Sequence, residues 1–144
     1  MKALLQRVSQ ASVSIDDEIV GSIEQGLLAL VGVEAADNAE TVAWMADKIL
    51  RLRIFADEAK PMNQSVLDVG GAVLAVSQFT LAADTSRGRR PSFTTAAPPE
   101  HAEEIYQDLV TAMSAEIRVA TGRFGADMQV ALVNDGPVTF LLER

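Results

Sequence analysis

The sequence contains no cysteine and a single histidine, His101, among its 144 residues. Without cysteine there is no thiol nucleophile, no disulfide framework and no cysteine-based zinc site, and one histidine is too few for a histidine-rich catalytic zinc site. A magnesium ion held by carboxylates is compatible with the composition, but no spaced acidic motif supports it. We therefore expect a protein that uses neither a metal ion nor another cofactor, which disfavours a metal-dependent hydrolase.

Long apolar runs are also lacking. No stretch reaches the length of about 18 apolar residues that a membrane-spanning helix needs. The first residues, MKALLQRVSQ, contain no apolar segment followed by a small-residue cleavage site. We expect a soluble, cytoplasmic protein with no membrane partner.

Positive charge is scarce, since 12 Lys and Arg stand against 20 Asp and Glu for a net charge of -8. This balance disfavours nonspecific binding to nucleic acids, DNA included, because neutralising phosphates requires clustered basic side chains. Arg87, Arg89 and Arg90 nevertheless fall within four consecutive positions. They form either a solvated charged loop or a set of guanidinium forks for phosphate, and both interpretations stay open.

The chain has the size of one domain, residues 1–144, and 49% of its residues are hydrophobic. Asp37 followed by Glu40 at the third position predicts a helix start, and the pair Pro98-Pro99 predicts another. Apolar spacing then predicts helices over residues 38–52 and from Pro98 to before Gly122, each with one face in the core. Alternating or continuous apolar runs predict strands over residues 3–13, 12–23 (two strands about the turn Asp16-Asp17), 26–33, 53–56, 65–68, 72–81, 127–133 and 138–142.

No repeat, linker or low-complexity segment divides the chain. The excess of strands over helices predicts an α+β fold with a curved, largely antiparallel β-sheet, a barrel-like core and two packed helices.

The stretch AVLAVSQFTL, residues 72–81, is apolar except for Ser77, Gln78 and Thr80. If it is one strand, Gln78 and Thr80 share a face and Ser77 lies on the other with Phe79. Either the strand leaves the core near Ser77, or its end forms one wall of a ligand pocket.

The stretch NDGPVTF, residues 134–140, contains an Asp-Gly pair that is typical of a hairpin turn. Pro137 argues against a plain hairpin, because it stands where a returning strand would donate a backbone N–H.

Two weaker patterns complete the candidates. Ser77, His101 and any acid could make a nucleophilic triad, but His101 sits beside Pro98-Pro99 and no Gly-x-Ser-x-Gly elbow is present. Phe124 and Met128, in TGRFGADM, are either core residues or an apolar slot for a flat base.

The segments ALLQRVSQASVSI, SQFTLAADTSRGRRPSF and TGRFGADMQVALVNDGPVTF together resemble the D-aminoacyl-tRNA deacylases, also called the D-tyrosyl-tRNA deacylase family. The resemblance runs along the whole chain. It implies a homodimeric hydrolase that removes D-amino acids, and glycine on a noncognate tRNA, from the tRNA 3′ end.

The resemblance also implies roles for individual residues. Ser77, Gln78, Phe79 and Thr80 of one subunit would form a pocket that the Gly136-Pro137 motif of the other subunit enters, with the bond between Gly136 and Pro137 in cis. The motif would reject L-amino acids by steric clash. Arg7 would support the motif, while Phe124 and Met128 would lie near the terminal adenosine.

An aminoacyl ester is an activated acyl group, so its hydrolysis needs a positioned water and a stabilised oxyanion more than a strong base. We expect the backbone at Phe79 to contact the oxyanion, with Gln78 and Thr80 positioning the substrate, since no evident base accompanies Thr80. The alternative is a noncatalytic dimer that binds and shields the aminoacyl end of tRNA.

Overall fold

The fold is built from six strands, two α-helices and one turn of 3₁₀ helix, and the computed structural model describes residues 1–144 throughout. The elements are β1 (Lys2–Ile15), β2 (Glu18–Ile23), β3 (Gly26–Gly32), α1 (Ala39–Arg51), β4 (Ala72–Ser77), the 3₁₀ turn (Phe79–Ala82), α2 (Pro99–Ser114), β5 (Val119–Thr121) and β6 (Gln129–Glu143).

One mixed sheet joins all six strands in the order β2-β1-β3-β4-β5, with β6 on the other edge of β1. The three pairings of β1 are antiparallel, whereas β3 with β4 and β4 with β5 are parallel. Gly21 of β2 lies against the carbonyl of Thr121 of β5, so the two ends of this order approach each other. The sheet therefore curves into a nearly closed barrel. This confirms the predicted α+β fold with a barrel-like core.

Both faces of the central strand β3 are covered, which explains why GLLALVG is apolar at nearly every position. Leu27 and Ala29 face a core shared with α1 and α2, and Leu28 faces a second apolar cluster made by the strands themselves. The helices contribute alternate turns to the first core, through Met45, Ile49, Tyr106, Leu109 and Met113 among others. The two predicted helices thus pack as their apolar stripes indicated.

Strand β6 pairs with β1 alone and leaves its other edge free. The sequence predicted two strands, 127–133 and 138–142, joined by a turn, but β6 is one strand whose pairing with β1 is interrupted between Asn134 and Thr139. The interruption is a bulge, and Pro137 is accommodated in it because the free edge requires no N–H donor.

Four other element predictions were wrong in whole or in part. The strand predicted over 72–81 ends at Ser77, and the strand predicted over 53–56 reduces to an isolated bridge between Phe55 and Gln64. Residues 65–68 form no strand and lead into a turn. Helix α2 ends at Ser114 rather than just before Gly122, and the short strand β5 follows. Local apolarity alone does not show where a partner strand is available to form a ladder, so it misplaced these strand boundaries.

The predicted cap of α1 is also corrected. Asn38, not Asp37, is the N-cap, and its side-chain oxygen accepts from Glu40 N at 2.9 Å and Thr41 N at 3.3 Å. Asp37 is buried, and its carboxylate accepts from the amino group of Met1 at 2.6 Å and from Glu34 N at 2.7 Å. The ion pair with Met1 thus removes Asp37 from the helix end.

No helix of the chain combines the length and apolarity that a membrane crossing requires.

We predict that Asn38→Ala lowers the free energy of unfolding by about 1 kcal/mol, because two N–H groups of α1 lose their acceptor. Asn38→Asp, which keeps an acceptor oxygen, should change it little. Urea unfolding followed by the fluorescence of Trp44, the one tryptophan and a residue of α1, measures both. Equal stability of the alanine and aspartate variants would contradict the assignment of the cap.

Candidate active site

A cavity of about 520 Å³ opens between the end of β4, the start of α2 and the β5–β6 connection. Its volume lies in the range of small-molecule sites. Twelve of its 17 lining residues are hydrophobic, so it is suited to a largely apolar or flat ligand. Five predicted site residues line it: Ser77, Gln78, Phe79, Phe124 and Met128.

The chain turns sharply at one wall of this cavity. Gln78 N donates to Val31 O at 2.7 Å, and with φ -143° and ψ 76° Gln78 leads from β4 into the 3₁₀ turn. The first N–H groups of a helical turn have no partner inside the turn, so those of Phe79 and Thr80 are available as donors. Because the strand ends at Ser77, the predicted alternation of side chains does not continue through Thr80. The backbone instead turns and presents N–H groups that have no partner within the turn.

Side chains of the same turn are also ordered. Gln78 Nε2 donates to Thr80 Oγ1 at 2.5 Å, which fixes the two polar groups relative to each other. Phe79 is 60% exposed at the mouth of the cavity and packs on Phe93, with ring centroids 5.1 Å apart. Thr80 itself is exposed and does not line the cavity.

Tyr106 of α2 lines the floor of the cavity and was not among the predicted site residues. Its hydroxyl donates to Ala75 O at 2.9 Å, two residues before Ser77, and so ties α2 to the end of β4. Burial raises the pKa of Tyr106 to about 12. The sequence signal for Tyr106 is that it carries the one phenol among the otherwise nonpolar side chains of the apolar stripe of α2.

The opposite wall is the segment between β5 and β6. Met128 Sδ accepts from Arg123 N at 3.4 Å and lies over Gly122, where an added Cβ would come within 2.5 Å of the sulfur. The Phe124 ring lies 6.0 Å from that of Tyr106. Phe124 and Met128 therefore line the cavity and also pack against the two core clusters, and their role toward a flat base stays a prediction.

Asp127 is a second cavity residue that the sequence analysis missed. It is the one acidic side chain among the lining residues, which include no basic side chain. No hydrogen bond or ion pair within the chain occupies its carboxylate. Its place in FGADM, between two predicted wall residues, was the available signal.

The bulge of β6 presents Gly136 and Pro137, both exposed, at its tip. The peptide bond between them is cis. Asn134 closes the base of the tip: its Oδ1 accepts from Val138 N at 2.7 Å and its Nδ2 donates to Thr139 Oγ1 at 3.0 Å. Asn134 is therefore a further residue that shapes the motif, and the sequence analysis assigned it no role.

Arg7 of β1 lies beneath this tip. Its Nε donates to Asp135 O at 2.8 Å and its Nη1 donates to Ile54 O at 2.6 Å, while the guanidinium carbon lies 6.0 Å from the centre of the Phe55 ring. The side chain thus connects β1, the segment after α1 and the tip, in the arrangement that a supporting residue needs.

The predicted site residues fall into two groups within one chain. Ser77, Gln78 and Phe79 line the cavity with Phe124 and Met128, and Thr80 follows them on the exposed turn. Arg7, Gly136 and Pro137 lie at the tip and its base, and none of them lines the cavity of the same chain.

Alternative chemistries find little support in the geometry. The ring Nε2 of His101 lies 3.1 Å from the carbonyl oxygen of Asp37, and His101 does not line the cavity. No group of three or more histidine, aspartate or glutamate side chains is placed to hold a metal ion.

Comparison with known proteins identifies the family. The family model for D-Tyr-tRNA(Tyr) deacylase matches residues 4–143. A D-aminoacyl-tRNA deacylase of Pseudomonas aeruginosa is 60% identical over 144 residues, which is 99% of each chain. The chain belongs to the D-Tyr-tRNA(Tyr) deacylase family. The family predicted from the sequence motifs is thus confirmed.

Other relatives extend the family likeness. A D-aminoacyl-tRNA deacylase of Pelobacter propionicus is 56% identical over 145 residues, which is 100% of both chains. A solved structure named c-Myc DNA Unwinding Element Binding Protein is 40% identical, with a TM-score of 0.95 over 100% of this chain and 99% of that chain. A probable eukaryotic D-amino acid tRNA deacylase shares the fold, with a TM-score of 0.83 at 17% identity over 98% of this chain and 97% of that chain.

The environment of Tyr106 can be tested directly, because it is the one tyrosine in the chain. We predict that phenol absorbance at 295 nm titrates at about pH 12 in the folded protein, since burial raises the pKa of Tyr106. In denaturant it should titrate near pH 10. The folded state favours the neutral phenol, so stability is unaffected below about pH 10 and falls as the pH rises toward 12. A folded-state midpoint near 10 would place the hydroxyl in solvent.

Proposed function

We propose that the protein hydrolyses the ester bond of D-aminoacyl-tRNA, releasing the free D-amino acid and the tRNA. Membership of the family and the names of its relatives support deacylase activity on aminoacyl-tRNA. The observation that carries the residue-level proposal is the cavity that joins the turn at residues 77–80 to the wall at Phe124 and Met128.

The cavity is proposed to hold the terminal adenosine. Phe124, Met128 and Val130 provide an apolar wall of the kind that a flat base packs against. An adenosine seated there would place its ribose, and the ester it carries, toward the turn that contains Gln78 and Phe79.

The chemistry then depends on positioning. The backbone N–H groups of Phe79 and Thr80 would donate to the oxyanion of the tetrahedral intermediate, whose negative charge a protein site stabilises strongly. The hydrogen bond from Gln78 to Thr80 holds the Thr80 hydroxyl in place beside the substrate. A ribose hydroxyl of the tRNA would assist proton transfer to the leaving oxygen, so no protein histidine is needed.

Selectivity for D-amino acids is proposed to come from a second copy of the chain. The exposed tip at Gly136 and Pro137 is not part of the cavity wall of its own chain, and in a homodimer it would enter the partner copy's cavity. Exposed Phe79 at the cavity mouth and exposed Val133 and Leu141 on β6 support such an interface.

The tip would meet the α-carbon of the substrate with backbone atoms. At Gly136, where φ is +152°, an added Cβ would lie 2.6 Å from Val138 Cγ2, so the tip is shaped around a missing side chain. A rigid wall of this kind leaves room for a D side chain and clashes with an L side chain. Glycine has no side chain to clash, so glycine on a noncognate tRNA is a proposed second substrate.

The proposed setting is the cytoplasm, with tRNA and a second copy of the chain as partners and without DNA, a membrane or a cofactor. The competing proposal from another class is a noncatalytic dimer that shields the aminoacyl end of tRNA, for which the same cavity would serve.

Deacylation of D- and L-aminoacyl-tRNA, measured side by side with catalytic protein, tests the proposed function. We predict many turnovers on the D form and a rate at least about a hundredfold lower on the L form, equivalent to about 2.7 kcal/mol of discrimination. Equal rates on both enantiomers would contradict the proposed selectivity. A burst that stops at one equivalent would favour the binding protein, and loss of activity in a chelator would favour a metal-dependent hydrolase.

Mixing two inactive variants tests whether the motifs meet across a dimer. We predict that Gly136→Ala and Thr80→Ala are each impaired alone, and that mixed dimers regain one intact site of two. With random exchange of subunits, about a quarter of the wild-type activity should return. Each variant mixed with itself is the control. Mixtures that stay inactive although subunits exchange would place both motifs in one chain.

A further inference from the structure

Residues 84–92, here called the arginine loop, project between the 3₁₀ turn and Phe93. The base of the loop is closed by two backbone hydrogen bonds, Asp84 N to Ser92 O at 2.8 Å and Ser92 N to Asp84 O at 2.9 Å. Asp84 also accepts from Ser86 N at 2.9 Å, which orders the first turn. The loop therefore projects from the fold, and hydrogen bonds hold its two ends together.

The three arginines of this loop have no partner inside the chain. Arg87, Arg89 and Arg90 are all exposed, and no ion pair or hydrogen bond involves their side chains, whereas Arg7, Arg51 and Arg53 all have such bonds. On a chain of net charge -8 these three positive charges within four positions locally favour the approach of a polyanion. Guanidinium groups bind phosphate oxygens through paired donors, which suits nucleic acid.

The loop begins and ends at the mouth of the cavity. Phe93, the residue after the loop, packs on Phe79, which lines the cavity. Thr95 Oγ1 then donates to Ala82 O at 2.5 Å, and Ala96 and Ala97 return to the cavity wall. A nucleic-acid strand whose last nucleotide occupies the cavity would therefore leave it beside the arginines.

We propose that the arginine loop binds the phosphates of the tRNA 3′ strand next to the terminal nucleotide. The inference rests on the proposed function, because it takes the terminal adenosine to lie in the cavity. Contacts of this kind carry no base sequence, so they hold the aminoacyl ends of all tRNAs alike. They also set the direction in which the strand enters the cavity.

The test compares two substrates of the same ester. One is D-aminoacyl-tRNA, and the other is a D-aminoacyl ester of adenosine, which has no phosphate. In the variant with Arg87, Arg89 and Arg90 all changed to Gln, kcat/KM on tRNA should fall at least about tenfold at low salt. If two or three phosphates are contacted, the slope of log(kcat/KM) against log[salt] should become shallower by about 2. The adenosine ester should react as fast as with the parent protein.

A matched control removes the same number of positive charges from positions outside the loop. Lys48→Gln, Lys60→Gln and Arg118→Gln together remove three exposed positive charges outside the loop. This triple variant should retain more of the salt slope than the loop variant. If both variants lose activity and slope equally, net charge and not the loop is responsible, and the inference is wrong.

Neutral methylphosphonate linkages beside the 3′ end test the position of the contact. In an aminoacylated acceptor-stem RNA these linkages should lower kcat/KM of the parent protein and leave kcat/KM of the loop variant unchanged. If the loss of kcat/KM from the linkages and the loss from the loop substitutions are additive, the arginines contact other phosphates and the inference is wrong.

Failure of the proposed function would look different. If the parent protein hydrolyses neither substrate, the proposed activity is wrong. The salt slope for binding of uncharged acceptor-stem RNA by the parent protein and the loop variant then decides on the loop alone. Identical slopes would overturn the inference, and a shallower slope in the loop variant would support it.

Discussion

The pairing of strand β1 on both of its edges is the constraint on which the rest of the structure depends. One edge of β1 pairs with β3 and then with β2, and the other edge pairs with β6 along nearly its whole length. Because β3 in turn aligns β4, this strand sets the position of the cavity turn that follows Ser77. The same strand carries Arg7, which holds Asp135 at the base of the β6 tip. Strand β1 therefore fixes the positions of both halves of the candidate site, the cavity turn and the tip.

The two halves have different physical characters. The cavity is mostly apolar, and the N–H groups of the turn after Ser77 are the donors proposed to meet a developing negative charge. The tip is exposed and is held by hydrogen bonds that Asn134 accepts from Val138 N and that Arg7 donates to Asp135 O. A site assembled from such a cavity and such a projection, as proposed, would select by shape, which would suit a substrate whose ester is already reactive.

Periodicity predicted the helices, the opening hairpin and the α+β class, because these depend on which residues avoid water. Residue spacing did not predict the end of β4, since the bond from Gln78 N to Val31 O depends on a neighbouring strand 47 positions earlier in the chain. Nor did it decide between Asp37 and Asn38 as the cap, because the buried amino group of Met1 binds Asp37. The cavity residues Tyr106 and Asp127 were missed for a related reason: a helix stripe and a loop meet only in the folded chain.

The free edge of β6 raises a separate issue, since an unpaired edge of 15 residues is a template on which other chains can add strands. Pro137 lies near the middle of this edge and has no N–H to donate to an incoming strand. Together with the bulge between Asn134 and Thr139, it divides the edge into two short segments that are displaced from each other. The same tip that is proposed to sort amino acids by handedness would thereby also hinder the addition of a long strand along this edge.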